Sequence, residues 1–220
     1  MRFNFSKRPF SVLFIELGII WIFLFLYRVV FLIKNHVFFP DFGFYEYLVG
    51  SWFDLITIAL YFFPFFIVST IPLPLFFDKY RKIMELIFFI PSVFVVFFFN
   101  SWDIAYFSYT RKRISYDYFT FIISENEASI LAGDFIFEFW WLILLFIGTL
   151  VFIFYAVYKL QRVYSTFSDW KAWSKFILGI LFFIVVGRGG FQLKPVGVIE
   201  ATNYCSLQNA PAVLNSAFTI

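Results

Sequence analysis

Apolar residues run in five long blocks along this chain, each closed by a cluster of charged or aromatic residues. The first block spans about 9–33 and follows Arg2, Lys7 and Arg8. It is longer than the ~7–15 residues of a signal-peptide core and has no small-residue cleavage site, so it predicts a retained helix. The second, 51–77, opens on Trp52 and carries Pro64, Pro72 and Pro74. A kink is expected near Pro64, and the later prolines mark the end. Asp78–Lys82 separates it from the third, 83–102, which contains Pro91. The fourth, 135–158, starts beside Trp140 and Trp141, and the fifth covers 172–187. Each block but the last has the ~20 residues that cross a bilayer; the last rises only about 24 Å and needs Lys175 to snorkel. The predicted fold is all-α, a polytopic bundle of five transmembrane helices followed by a tail over 188–220.

Composition agrees with hydrocarbon as the solvent. Hydrophobic residues make up 62% of the chain, 39 residues are Phe, and the mean hydropathy is +0.86. A soluble domain of 220 residues could not bury that many rings and still present a polar surface. The net charge is only +3, and the basic residues fall in short clusters between apolar runs, a pattern of membrane orientation rather than nucleic-acid binding. With the N-terminus in the cytoplasm, ten of the seventeen Lys and Arg residues lie inside, six outside, and Arg28 within the first helix. That asymmetry predicts N-in, with the tail outside.

Chemistry within the chain is sparse. One Cys, Cys205, excludes an intrachain disulfide, and with the single His36 leaves no zinc-type ligand set, so no metal site is expected. No Ser-His-Asp, Cys-His or paired-carboxylate arrangement is visible, and no catalytic residue is assigned. Glu16 and Arg28 are charges inside the first helix, which makes each a functional candidate. They stand 12 residues apart, about 18 Å along the axis, and cannot pair with each other. Packing or interface roles are the favoured reading for both, with Arg28 snorkelling at the boundary. Asp54, Glu85 and Glu138 read as solvated helix-end residues. Between Asp103 and Asp134, aromatic residues interleave with Arg111, Lys112 and Arg113. This suits either a helix lying in the interface or an ordinary polar loop pinned by aromatics. Arg111, Lys112, Arg113, Arg188 and Lys194 are the candidates for contact with phospholipid headgroups. Gly187-Arg188-Gly189-Gly190 predicts a glycine-terminated helix rather than a phosphate loop.

The tail carries one resemblance. Arg188-Gly189-Gly190-Phe191-Gln192-Leu193-Lys194-Pro195, then Ala201, Tyr204, Gln208-Asn209-Ala210 and Leu214-Asn215-Ser216-Ala217-Phe218-Thr219 resemble the juxtamembrane segment of bacterial lipoteichoic acid synthase-like proteins. These are membrane-anchored members of the sulfatase/alkaline phosphatase superfamily. Asp103-Ile104-Ala105-Tyr106-Phe107 with Arg111 and Arg113 is similar to the outer loop after their third helix. The resemblance implies a bacterial cytoplasmic-membrane location. It also implies an extracytoplasmic catalytic domain beyond Ile220, in which a divalent metal such as Mn or Zn activates a threonine, and a membrane phospholipid as donor. No nucleophile or metal ligand carries over to these 220 residues, so the chain alone is expected to be inactive. The competing expectation is a small non-enzymatic membrane protein, a transporter or scaffold subunit, resting on Glu16 and Arg28.

Overall fold

The computed structural model describes residues 5–7, 10–115, 138–160, 165–167 and 171–220. Among these residues the principal helices are α1 (Phe10–Lys34), α2 (Phe44–Tyr61), α3 (Phe63–Thr70), α4 (Asp78–Thr110), α5 (Trp140–Leu160) and α6 (Lys171–Gly187). The tail adds two single-turn helices, α7 (Ala210–Val213) and α8 (Ser216–Thr219). The all-α expectation needs one amendment. Three short segments, β1 (Phe5–Lys7), β2 (Leu73–Pro74) and β3 (Ser165–Phe167), pair antiparallel in the order β2-β1-β3. They gather the start of α1, the end of α3 and the approach to α6 at one end of the bundle, here termed the strand end. The opposite end carries α7 and α8 and is the tail end.

Among the described residues three helices, α1, α4 and α5, are long and apolar enough to cross a membrane, and α2 with α3 makes a fourth if the bent pair is one span. Five crossings are therefore not established. The α2–α3 break bends the axis by 59°, and its cause is local: Pro64 in the first turn of α3 has no N–H to donate back into α2. At 17 residues, α6 rises about 26 Å, less than the ~30 Å of a hydrocarbon core.

Two helices run past their expected limits. α4 extends from Asp78 to Thr110, beyond 83–102 on both sides, so Asp103 to Thr110 belongs to its last turns. α2 begins at Phe44, where the carboxylate of Glu46 accepts the Gly43 N–H at 3.0 Å. Asp54 is therefore fully buried mid-helix, and Glu85 is buried within α4 beside Arg81. The helix-end reading of both is overturned. Glu138 is exposed and accepts the Tyr109 hydroxyl at 2.9 Å. An interfacial helix beyond Ser115 would lie outside the described residues.

Ring packing fills the core between these helices. Phe31, Phe39 and Phe107 meet where α1, α4 and the α1–α2 connection converge, with centroids 5.0–5.8 Å apart. Phe66 stacks on Phe183 at 4.0 Å, joining α3 to α6. Two nearly wholly apolar crevices open on the outer surface. One of about 360 Å³ lies between α1, α2 and α6, and one of about 330 Å³ between α4 and α5.

Candidate functional site

A group of buried polar residues converges at the tail end, where the tail itself completes the constellation, while buried Glu16, Arg81 and Glu85 lie toward the strand end. Arg28 sits on α1 and is 4% exposed. One of its terminal nitrogens donates to Asp54 Oδ1 at 2.6 Å and to the Gly50 carbonyl at 2.8 Å, both on α2. The other donates to the carbonyl oxygens of Ala212 and, at 2.6 Å, Val213, at the end of α7. Asn215 closes the same group: its amide donates to Asp54 Oδ1 at 2.9 Å and to Thr57 Oγ1 at 2.8 Å, while its own oxygen caps α8 through the Phe218 N–H at 3.0 Å. Arg28 thus spends its charge on an α2 carboxylate and its remaining donors on the tail backbone. The expected snorkelling position is overturned.

A second arginine repeats the arrangement from the other side. Arg111 ends α4 in the left-handed conformation with φ of 55°, which turns the chain sharply inward at Arg113. Arg113 pairs with Asp103 at 2.5 Å, and its side chain is only 7% exposed. It also donates to the carbonyls of Pro211 at 2.6 Å and Leu214 at 2.9 Å, and its guanidinium lies 3.8 Å from the Phe31 ring centroid. Burial pushes its pKa down, and Asp103 opposes that shift. Asp103 accepts from Ser216 Oγ at 2.7 Å and the Ile114 N–H at 3.0 Å as well. Two arginines, each matched by one aspartate, therefore grip the consecutive carbonyls of residues 211–214. Arginine suits this work because its planar fork serves a carboxylate and several carbonyls at once.

Arg28, Asp54, Asn100, Arg113 and Asn215 also line a cavity of about 10 Å³, the space of roughly one water. Asp54 Oδ2 and Arg28 Nε have no hydrogen-bond partner among the described residues. The arrangement is neutral in sum and largely enclosed, with the Arg113 side chain 7% exposed. It has the chemistry of a clamp on backbone, and no group in it is poised as nucleophile or general base. Among the described residues no cluster of three or more His, Cys, Asp or Glu could hold a metal ion.

The five headgroup candidates separate. Arg113 is taken out of reach of lipid by the clamp. Arg111 and Lys112 are exposed, with Arg111 5.1 Å from the Phe38 ring centroid. Arg188 folds back on its own loop, donating to the carbonyls of Gln192 at 3.3 Å and Leu193 at 2.9 Å, and Lys194 is exposed. Glu16 is fully buried on α1, and His36 is exposed with Nδ1 3.2 Å from the Ile33 carbonyl. Sequence reasoning missed Asp54, Asp103, Asn215 and Ser216. The available signal was charge matching, since an arginine inside an apolar helix demands an acid from another element.

Two local tests follow from this geometry. A Cβ on Gly50 would stand 2.6–2.7 Å from the Arg28 guanidinium, which its hydrogen bonds to α2 and the tail hold in place. Gly50→Ala is expected to destabilise the protein by about 1–3 kcal/mol through this overpacking, read as a lower melting temperature in detergent. Cys205 donates to the Ala201 carbonyl at 3.2 Å, and burial, with Glu46 nearby, raises its thiol pKa. The thiolate is the reactive form, so maleimide labelling at neutral pH should be slower than for a free thiol and accelerate as pH rises. A neutral-pH rate equal to that of glutathione would contradict this.

No family model, no curated protein and no solved structure matches this chain. What the fold and the clamp define is a helical protein with several helices suited to a membrane, whose C-terminal tail is locked into the bundle.

Proposed function

We propose that this chain is the membrane anchor and lipid-proximal domain of a sulfatase-superfamily enzyme, a phosphoglycerol or phosphoethanolamine transferase or a sulfatase. The observation that carries this reading is the clamp. Of the tail residues that resemble the lipoteichoic acid synthase-like juxtamembrane segment, the later ones lie in or beside it: Asn209, Ala210, Leu214, Asn215, Ser216 and Ala217 are all buried, whereas Phe191 to Pro195 are exposed. A segment gripped by Arg28 and Arg113 is a rigid mount. A catalytic domain carried on it would be kept at a fixed height over the bilayer, where a phospholipid donor reaches it without leaving the membrane. In this reading the divalent metal of such enzymes belongs to that domain. Acyl chains suit the two apolar crevices, and exposed Arg111, Lys112 and Lys194 suit headgroup phosphates. The proposed location is the bacterial cytoplasmic membrane, N-terminus inside.

The test is the size and content of the native protein. Antibody to the tail should detect, in membranes, a polypeptide more than twice the 26.3 kDa of this chain, with a sulfatase-type domain on the outer face. A native product near 26 kDa would overturn the proposal. The transporter reading draws on the complete burial of Glu16 alone, because Arg28 is occupied by the clamp. Solute flux abolished by Glu16→Gln would favour it.

A further inference from the structure

We infer that the loop from Arg188 to Pro195 is a membrane-inserted wedge, with Phe191 and Leu193 seated among the acyl chains of phospholipids on the tail side of the bilayer. These are among the most exposed large apolar side chains in the described structure, at 93% and 98%.

The loop starts deep in the bundle. α6 ends at Gly187, where a methyl group would touch Ala59 and Leu60 of α2. Ala59 lies 15 residues from the start of α2, so the loop begins about 22 Å below the tail end of that helix. Exposed Leu55 and Leu60 on α2, and Leu181 and Ile184 on α6, mark the same zone as lipid-facing. The loop is thus continuous with a helix surface already suited to hydrocarbon.

The two ends of the loop pair their own polar groups. Non-helical backbone enters hydrocarbon only where its polar groups find partners. α6 closes with a Schellman pair: Gly189 N–H donates to Val186 at 2.8 Å and Gly190 N–H to Val185 at 2.9 Å, with both glycines at positive φ. The Arg188 guanidinium caps the Gln192 and Leu193 carbonyls, and the Arg188 carbonyl accepts the Val196 N–H at 3.0 Å and the Gln192 amide at 3.3 Å. Pro195 has no N–H to satisfy. Val196 anchors the far end in the buried cluster that includes Val49, Phe53 and Ile56. Among the described residues the N–H groups of Phe191, Gln192, Leu193 and Lys194 have no acceptor, so the backbone of the tip stays at headgroup depth and only the Phe191 and Leu193 side chains reach into the acyl region. Exposed Lys194 beside them has the reach and the charge to snorkel to a phosphate.

Site-directed spin labelling of the full chain tests this. Cys205→Ser removes the only native thiol, and single cysteines then replace Phe191 or Leu193. Leu181→Cys serves as a helix-surface reference and Asp41→Cys as an aqueous one. Each nitroxide is examined in phosphatidylethanolamine–phosphatidylglycerol vesicles by its collision rates with oxygen and with a water-soluble nickel chelate. The expected result is an oxygen-to-nickel ratio at 191 and 193 severalfold above that at 41 and comparable with that at 181. A ratio like that of position 41 overturns the inference while the α6 reference keeps its membrane setting. Low access to both agents also overturns it, because protein would then cover the tip. A water-like reading at 181 would remove the membrane setting and the inference together. If the Phe191 variant loses its monodisperse elution, Leu193 decides.

Discussion

Asp54→Leu is expected to destabilise the protein by about 3–5 kcal/mol, the cost of leaving one charge of a buried pair uncompensated. Arg28 would keep the carbonyls of Gly50, Ala212 and Val213 but lose the carboxylate that balances its charge. Asn215 would lose one of its two acceptors in the same step, so the α7–α8 tail should loosen with the helix pair. The double variant Arg28→Met/Asp54→Leu removes both charges and is expected to recover most of the loss, because a well-packed apolar pair of similar volume often matches a buried ion pair. Thermal unfolding in detergent, followed by size-exclusion of the heated samples, provides the midpoints of parent, single and double variant. Equal stability of Asp54→Leu and the parent would mean that the Arg28–Asp54 contact does not close in the folded protein.

How the sequence reports this molecule depends on the solvent each segment meets. The apolar pattern predicts α1 over 9–33 and the helix runs over Phe10–Lys34, because a lipid-spanning helix must be apolar throughout its length and its borders are chemically sharp. The kink at Pro64 is legible for the same local reason, a missing donor. α4 and α2 are under-read at their polar ends. Asp78 and Arg81 look like a loop sequence and Glu85 like a solvated helix end, yet they are i,i+3 and i,i+4 neighbours on one helix, with contacts at 2.7 and 4.0 Å. Starting α2 seven residues late moves Asp54 from the helix interior to its end and hides the partner of Arg28. The tail is the least legible segment. Asn, Ser and Ala in non-repeating order read as a linker. Its place in the bundle comes from contacts such as Arg28 to Val213, 185 residues apart, which no local period records.

The second large effect is expected at Asp103, and it separates fixation of the tail from stability of the helix bundle. Asp103 receives three donors, from Arg113, Ser216 and the Ile114 backbone, so Asp103→Ala unties the connection after α4 and the α8 segment together. Arg113 would remain buried against Phe31 without a countercharge, again a loss of about 3–5 kcal/mol. The losses should be unequal along the chain. Amide hydrogen exchange should rise most at Leu214 and Phe218, whose N–H groups are held within the tail, and least in the α1–α5 contact around Tyr27 and Thr149. Adding Arg113→Met should restore protection to the tail amides in part, since the orphaned charge is gone while the Pro211 and Leu214 carbonyls still lose their donor. High salt should change none of this, because enclosed pairs are screened far less than surface ones. Uniform exchange across tail and bundle in Asp103→Ala would mean that the tail is an ordinary part of one cooperative core. Selective exchange confined to residues 210–220 would identify it as a separately fastened element.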